Sequence, residues 1–215
     1  MYKLEHIQQK VQEYTYCSLG KLKNISRVCE YINNNNVPGD FVECGTYKGG
    51  SAAVISQHLN SGRHLWLYDS FAGLPETSPE DGEDAKKWVG DCLATVEDVE
   101  TVMGLVGTKA ENYTIRKGWF EDTFINSPLP ETVALLHCDA DWYKSVLLVL
   151  ETFYDRIPDG GCVILDDFGF WEGCREAFYD FCHQRHEKPL IERVESDQAF
   201  WIKGRNNNRE IPSYL

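Results

Sequence analysis

The chain has 215 residues, of which 42% are hydrophobic, and a formal net charge of -13. This length can bury one sizeable core and is short for two, so we expect a single domain over residues 1–215. The acidic balance argues against a nucleic-acid partner, because phosphate binding needs clustered Lys and Arg. Apolar runs such as Val133–Cys138 are far shorter than the ~20 residues that span a bilayer, so no membrane partner is expected.

The sequence predicts a cytoplasmic protein. Charges interrupt every apolar run of the N-terminal stretch MYKLEHIQQKVQEYTY, which therefore lacks the continuous apolar centre of a secretion signal. The eight cysteines are scattered without a CxxC pair, which indicates neither a zinc site nor a disulfide framework. Cys44, Cys138 and Cys162 lie in apolar runs, where a free cysteine is usually a small core residue.

Helices are predicted before the first strand, around Leu4–Tyr16 and Ile25–Ile32, and the asparagine run with Pro38 ends the second. We expect this helical preface, residues 1–38, to cap a sheet or to form part of a lid.

Five short apolar or β-branched runs follow, with longer segments of helical periodicity between several of them. This alternation predicts a parallel sheet flanked by helices. The predicted strands are Asp40–Cys44, His64–Tyr68, Tyr113–Lys117, Val133–Cys138 and Gly161–Leu165. The predicted covering helices are Gly49–Leu59, Val96–Val106 and Tyr143–Ile157.

Two segments depart from this alternation. Residues 74–95 are rich in Pro, Glu, Asp and Gly, break both periodicities, and predict a long mobile loop that acts as a lid. Near the C-terminus, only three turn-like residues separate Pro189–Glu195 from Ala199–Lys203. That separation is too short for a helical crossover and predicts an antiparallel hairpin.

The turn after the first strand, in FVECGTYKGGS, carries an acid at the strand end and glycines leading into a helix. This pattern is typical of a ligand-binding turn, although a merely tight turn would explain single glycines. The spacing differs from GxGxxG, which favours a nucleoside without a pyrophosphate. Glu43 is a candidate acceptor for an ammonium group. Asp69, about 20 residues after the glycines, is a candidate acceptor for ribose hydroxyls, or else an ordinary loop acid.

Carboxylates also follow the fourth and fifth predicted strands, at Asp139, Asp141, Asp166 and Asp167. Like charges clustered at a buried edge repel one another, and a hard divalent cation such as magnesium, calcium or manganese is the simplest remedy. We predict Asp139, Asp166 and Asp167 as metal ligands. Asp141 is expected to be an outer or alternative ligand, or to cap the helix that begins near Tyr143.

A histidine and several aromatic residues lie near the same strand ends. His137 is inside the fourth strand, where a lone histidine is more often a hydrogen-bonded core residue than a catalyst. The rings are expected to stack on adenine or shape a substrate pocket, or to be ordinary core. They belong to Trp119, Phe120, Trp142, Phe168, Phe170 and Trp171.

The ordered motifs FVECGTYKGGS, YDSFAGLP, KGWFEDTF, HCDADWYKS, PDGGCVILDDFG and SDQAFWIK cover residues 40–203. This set resembles the macrocin O-methyltransferase family, whose members methylate sugar hydroxyls of macrolide antibiotics with S-adenosylmethionine and magnesium. The resemblance implies an α/β, Rossmann-like class I methyltransferase fold. That fold has a seven-stranded, mostly parallel sheet with one antiparallel strand and helices on both faces. A homo-oligomer is also implied.

The resemblance implies a donor site and the same metal ligands. The lid histidine of the family has no counterpart in residues 74–95, where Lys86 and Lys87 stand instead. Glu195 resembles a family acid that faces the acceptor, in an alignment that allows a shift of one or two residues. The predicted donor-binding residues are Glu43, Gly45, Thr46, Gly49, Ser51, Asp69, Ser70, Trp119 and Asp139.

The sequence thus predicts a metal-dependent O-methyltransferase that acts on a hydroxyl of a small molecule, such as a sugar or another natural-product intermediate. Asp139 and Glu195 are the predicted catalytic residues, and the candidate bases are Glu195, Asp141 and Lys144, in falling order. Two alternatives remain. Asp139-Ala140-Asp141 matches the DxD pattern of metal-dependent glycosyltransferases, and a non-catalytic module would bind S-adenosylmethionine without turnover.

Overall fold

The computed structural model describes residues 2–60, 62–205 and 207. Its strands are β1 (Asp40–Cys44), β2 (Leu65–Asp69), β3 (Tyr113–Lys117), β4 (Val133–Cys138), β5 (Cys162–Leu165), β6 (Glu192–Val194) and β7 (Gln198–Ile202). They form one sheet in the order β3-β2-β1-β4-β5-β7-β6. The pairs among β1 to β5 are parallel, and β7 runs antiparallel to both of its neighbours. The predicted seven-stranded sheet with one antiparallel strand is confirmed.

The sheet is covered by helices on both faces, as predicted. The α-helices are α1 (Tyr2–Val11), α2 (Leu19–Asn34), α3 (Gly50–Ser56), α4 (Gly82–Ala85), α5 (Val96–Leu105), α6 (Phe120–Asn126), α7 (Tyr143–Phe153) and α8 (Glu172–Arg185). Apolar side chains of α1, α2, α3 and α5 share one buried cluster, and those of α6, α7 and α8 share another. Strand residues alternate between the clusters, so Phe41 joins the first and Val42 the second.

The strand predictions were accurate because central strands are buried on both faces and read as continuous apolar runs. All six residues of β4 are buried. The bounds of β1, β3 and β4 are as predicted, and those of β2 and β5 differ by one residue. The predicted hairpin is confirmed, although β6 is shorter than Pro189–Glu195.

Outside residues 74–95, two α-helices, α6 and α8, were not predicted. The first has only seven residues, too few for a clear period. The second is strongly polar, yet Cys174, Ala177, Phe178 and Phe181 recur on its buried face at the spacing of a helix. The helical spacing of apolar residues was therefore present in the sequence of α8.

The helical preface packs on the sheet. Its helices α1 and α2 bury Val11, Ile25 and Ile32 in the first cluster. Ser18 begins α2, where its hydroxyl accepts a hydrogen bond from the Lys21 amide at 3.2 Å.

Residues 74–95 contain α4 and two 3₁₀ turns, Pro79–Asp81 and Lys86–Trp88, where a loop was predicted. The buried Asp81 anchors this segment: its carboxylate accepts from the Ser78 amide at 2.7 Å and from the Tyr143 amide at 2.6 Å. Asp81 therefore supplies the hydrogen bond at the start of α7. The prediction that Asp141 caps this helix is wrong. Trp142 occupies the N-cap position, and its side chain forms no capping hydrogen bond.

All eight cysteines are free, and Cys44, Cys138 and Cys162 are buried. Within residues 2–60, 62–205 and 207, no helix has both the length and the apolar character needed to cross a bilayer.

Candidate active site

A cavity of ≈ 580 Å³ opens at the carboxyl ends of the central strands. Gly45 follows β1, Asp69 ends β2, Asp139 follows β4 and Asp166 follows β5, and all four line the cavity. Ligands of open α/β sheets bind at this edge, where the strand order changes direction. Of the predicted site residues, the cavity is lined by Gly45, Thr46, Ser51, Asp69, Ser70, Trp119, Asp139, Asp166 and Asp167.

Asp69 holds the turn that follows β1. Its Oδ2 accepts hydrogen bonds from the backbone amides of Thr46 and Tyr47, each at 2.8 Å, and its Oδ1 accepts one from Phe71 at 2.7 Å. Burial nevertheless raises the pKa of this carboxyl above its usual range, although the three amides oppose that rise. Asp69 is thus both a wall of the cavity and the support of the glycine-rich turn.

Gly45 is required by close contact. Its φ is +86°, and a Cβ atom built there would lie 1.7 Å from the carbonyl oxygen of Asp139. The amide of Asp139 in turn donates to the Cys44 carbonyl at 2.8 Å. The turns after β1 and β4 therefore touch through backbone, and a side chain at position 45 would separate them.

Glu43, a predicted ligand of the donor, does not line the cavity in this structure. The side chain is fully buried, and its Oε1 accepts a hydrogen bond from Nδ1 of His137 at 2.9 Å. These residues are partners in the register of β1 and β4, so Glu43 faces the neighbouring strand. His137 is the hydrogen-bonded core residue that the sequence predicts.

The pKa of His137 is raised to about 9. Burial alone would lower this pKa, but the hydrogen bonds and charges of Asp166 and Glu43 outweigh it. Nε2 of the ring lies 3.5 Å from Oδ1 of Asp166. Glu43, His137 and Asp166 thus form a buried row of ionisable side chains that ends at the predicted metal cluster.

Gly49 also lies outside the cavity lining. It precedes α3 with a φ of +88°, and a Cβ there would lie 3.1 Å from Val102 and 3.2 Å from Val99. The glycine therefore serves the turn and the packing of α3 against α5. Its predicted part in donor binding is limited to shaping the turn.

Glu195 is exposed in the turn between β6 and β7, and its carboxylate accepts a hydrogen bond from the hydroxyl of Ser18. Glu195 does not line the cavity, whereas Asp197, two residues further on, does. Lys144, another candidate base, is exposed on α7 and is likewise outside the lining.

The carboxylates after β4 and β5 do come together. Oxygens of Asp139, Asp141 and Asp167 all lie within 4.8 Å of one another, and so do ligand atoms of Asp139, Asp166 and Cys17. Burial and mutual repulsion raise the pKa of Asp139 and of Asp141 well above their usual range and that of Asp167 to about 7. Oδ2 of Asp167 is buried without a hydrogen-bond partner. An oxygen set of this kind fits a hard divalent cation.

Asp166 differs from its neighbours because it already has a cationic partner. Its Oδ2 accepts from Nζ of Lys21 at 2.7 Å, and its Oδ1 accepts from Nε2 of Gln198 at 2.8 Å. Burial would raise the pKa of Asp166, but His137 and Lys21 together hold it well below its usual range. The cluster therefore contains one paired carboxylate beside carboxylates that repel one another.

The preface contributes a wall of the cavity that was not predicted. Tyr14, Thr15, Tyr16, Cys17 and Lys21 line it. The available signal was Lys21, which stands at helical spacing from the buried Ile25, Val28 and Ile32 and so on the apolar face of α2.

Aromatic residues form a second wall. Trp171 lies between Trp88 and Phe170, with ring-centroid distances of 6.1 Å and 4.7 Å. The indole of Trp171 also donates to Oδ1 of Asp141 at 3.0 Å. Of the other predicted rings, Trp142 is core, 1% exposed, whereas Trp119 lines the cavity and is 40% exposed.

Comparison with known proteins gives a consistent result. The model of the macrocin-O-methyltransferase family matches residues 8–203. The 8-demethyl-8-(2,3-dimethoxy-alpha-L-rhamnosyl)-tetracenomycin-C 4'-O-methyltransferase of Streptomyces olivaceus is 30% identical over 197 residues, 87% of this chain and 75% of its own. The demethyldecarbamoylnovobiocin O-methyltransferase of Streptomyces niveus is 28% identical, over 89% of this chain and 76% of its own. The solved O-methyltransferase NovP superposes with a TM-score of 0.79 at 27% identity, covering 89% of this chain and 83% of that one.

Proposed function

The chain is an O-methyltransferase of the macrocin-O-methyltransferase family, and we propose that it methylates a sugar hydroxyl of a glycosylated natural product. We propose S-adenosylmethionine as the donor and a divalent cation as a requirement of the reaction. The proposal rests on one observation, which is that two sets of residues line the same cavity. The Gly45–Asp69 turn and the carboxylates after β4 and β5 face the same ≈ 580 Å³ space.

The donor would be held at the ends of β1 and β2, and it supplies an electrophilic methyl group on a sulfonium ion. The carboxylate of Asp69 has about four lone-pair sites, of which the three backbone amides take three, so capacity remains for a ribose hydroxyl. Trp119 offers a half-exposed ring for the adenine. Thr46, Ser51 and Ser70 supply further polar groups on the same wall.

The cation would be held by Asp139 and Asp167, with Asp166 as the third predicted ligand. When bound, it would act as a Lewis acid that lowers the pKa of the reacting hydroxyl. The unpartnered Oδ2 of Asp167 supports this assignment, since a buried oxygen without a hydrogen bond is costly. Magnesium or another hard divalent cation is the expected ion, because such cations prefer carboxylate oxygens as protein ligands.

Asp141 replaces Glu195 as the proposed general base. It lines the cavity, whereas Glu195 and Lys144 do not. Trp171 holds Oδ1 of Asp141, which leaves Oδ2 to take the proton of the acceptor hydroxyl. One carboxylate oxygen of Asp141 lies within 4.8 Å of oxygens of Asp139 and Asp167, so the Asp141 carboxylate is next to the proposed cation site.

The acceptor class rests on the relatives and on the aromatic wall. The two curated relatives act on a rhamnosyl-tetracenomycin and on demethyldecarbamoylnovobiocin, as their names state. The rings of Trp88, Phe170 and Trp171 present an apolar face beside Asp141. Such a face suits the apolar side of a sugar or of an attached ring system.

The family match removes the glycosyltransferase alternative, and the DxD spacing of Asp139 and Asp141 belongs to the proposed metal and base site. The non-catalytic alternative is tested by turnover. We would treat the purified protein with a chelator, add back magnesium, and follow transfer of a labelled methyl group to a panel of rhamnosides and other glycosides.

The proposal requires magnesium-dependent transfer to at least one glycoside. Asp167→Asn should abolish that transfer and leave donor affinity within about threefold of wild type, because Asp167 faces the acceptor half of the cavity. The matched control Asp122→Asn changes an exposed acid of α6 outside the cavity and should be fully active. Donor binding without transfer to any glycoside would favour the non-catalytic module, and undiminished transfer after chelation would reject metal dependence.

A further inference from the structure

Lys21 is a buried lysine of α2, 7% exposed, whose ammonium faces the acidic cluster. Its Nζ lies 2.7 Å from Oδ2 of Asp166 and 3.4 Å from Oδ2 of Asp197. A buried ammonium is expensive unless it is paired. Two carboxylates from different elements therefore converge on this one cation.

The same face of α2 holds the rest of Asp166 in place. One turn after Lys21, the side-chain Nδ2 of Asn24 donates to Oε1 of Gln198 at 2.7 Å, and Nε2 of Gln198 donates to Oδ1 of Asp166 at 2.8 Å. Both oxygens of Asp166 are thus engaged with groups that α2 positions. Among the described residues, neither Asp139 nor Asp167 is paired with a lysine, and Oδ2 of Asp167 has no hydrogen-bond partner.

Lys21 differs in charge from the acidic side chains that line the cavity. Among the described residues that line it, Lys21 is the only lysine or arginine. The acidic side chains of the lining are Asp69, Asp91, Glu121, Asp139, Asp141, Asp166, Asp167 and Asp197. Lys21 is therefore the one fixed positive charge of the lining at the place where we propose a divalent cation.

We propose that Lys21 is a positioning residue that competes with the divalent cation for Asp166. Its ammonium holds this carboxylate as a fixed ion pair, which leaves the cation mainly to Asp139 and Asp167 and keeps its binding weak and reversible. The inference deepens the proposed metal site and rests on it. It also gives the N-terminal preface a part in the chemistry, since Lys21 and Asn24 belong to α2.

Two physical effects of the Lys21 ammonium both weaken cation binding. The ammonium occupies an oxygen that a hard cation would otherwise take, and its charge repels a divalent ion a few ångströms away. Loss of a unit charge at that range should raise cation affinity by at least about tenfold, even at the effective dielectric of a protein surface. A merely structural role predicts the opposite, because a disordered Asp166 would weaken the site.

The test is titration of the metal-free, donor-free protein with Mn²⁺, followed by electron paramagnetic resonance of the free ion. Lys21→Met removes the charge, Lys21→Gln removes it while keeping an N–H donor, and Lys21→Arg retains it. Lys23→Met is the matched control, since Lys23 is exposed on the same helix. We expect Lys21→Met and Lys21→Gln to bind Mn²⁺ at least about tenfold more tightly than wild type, and Lys21→Arg and Lys23→Met to resemble wild type.

The proposal would be overturned if a neutral variant that retains the circular dichroism of the wild type bound Mn²⁺ as tightly as wild type or more weakly. The absence of Mn²⁺ binding in every variant would also overturn it. Metal dependence is judged separately, by methyl transfer of the wild type after chelation. A gain of Mn²⁺ affinity in Lys21→Met together with metal-independent transfer would keep the role of Lys21 and reject the metal requirement. The reverse combination would reject the role of Lys21 alone.

Discussion

Nδ1 of His137 lies 2.9 Å from Oε1 of Glu43, and both side chains are fully buried at paired positions of β4 and β1. Glu43, in the strand that precedes the glycine-rich turn, therefore joins two central strands next to the cavity. Because His137 also lies 3.5 Å from Asp166, the pair connects the turn that we propose for the donor with the cluster that we propose for the metal.

Exchange of Glu43 for glutamine should reduce stability more than donor binding. The change removes the charge that His137 faces, and we expect the free energy of unfolding to fall by about 1–3 kcal/mol. Donor affinity should stay within about threefold of wild type, since the side chain does not line the cavity. Urea unfolding and calorimetric titration with S-adenosylmethionine measure the two effects.

Asp69→Asn is the comparison for that experiment. Asp69 lines the cavity and accepts three backbone amides, so its loss of charge should weaken the donor by more than about tenfold. Equal losses of donor affinity in Glu43→Gln and Asp69→Asn would restore Glu43 as a direct ligand.

The buried histidine should make stability depend on pH. The pKa of His137 is raised from its usual 6.5 to about 9, so the protonated ring stabilises the fold in full below pH 6.5. That contribution is lost as the pH rises through about 9. The free energy by which wild type exceeds His137→Gln should therefore shrink by roughly 3 kcal/mol between pH 6 and pH 10.

Urea unfolding of both proteins across this range measures the difference, in which groups common to the two cancel. A difference that is constant from pH 6 to pH 10 would mean that the ring is neutral in the folded protein throughout.

Gly45→Ala should abolish donor binding and strongly destabilise the fold. The new Cβ would lie 1.7 Å from the carbonyl oxygen of Asp139, so the turns after β1 and β4 would have to move apart. Gly107→Ala is the matched control, because Gly107 also has a positive φ, +77°, but open space around its Cβ position. We expect the control to lose only about 1 kcal/mol of stability and to bind the donor normally.

Thermal unfolding and donor titration of the two alanine variants test this. If both lost the same stability, backbone strain and not the contact with Asp139 would explain the glycine.

Asp81→Ala should loosen residues 74–95. Asp81 accepts hydrogen bonds from the amides of Ser78 and Tyr143, and its removal leaves buried donors unpaired at a cost of about 1–3 kcal/mol. Hydrogen exchange across the segment should become faster, and the KM for the acceptor should rise, since Trp88 and Asp91 of this segment line the cavity.

Asp84→Ala serves as the control, because Asp84 is exposed and, among the described residues, its ion-pair partner is the exposed Lys87. We expect its stability and its hydrogen exchange to match those of wild type, since an exposed ion pair contributes little. Unchanged exchange in Asp81→Ala would show that packing of the segment, and not this carboxylate, holds it in place.

The positions of the strands along the chain and the edge of the sheet that carries the site were accessible from sequence. Runs such as Val133–Cys138 are apolar throughout because central parallel strands are buried on both faces. Acids placed directly after such runs, at Asp139 and Asp166, must emerge at the same edge of a parallel sheet. The family resemblance added the donor and the reaction type, which periodicity alone does not specify.

Which side chains pair was decided by the tertiary structure. Glu43 meets His137 across 94 positions of sequence, Lys21 meets Asp166 across 145, and Asp81 meets the amide of Tyr143 across 62. Each pairing follows from how helices and loops pack against the sheet, and none produces a periodic pattern in the local sequence. The sequence by itself determined where carboxylates gather, because chain direction and strand burial are local patterns. Only the tertiary structure decided which of them is paired with Lys21, because that depends on the packing of α2 against the end of β5.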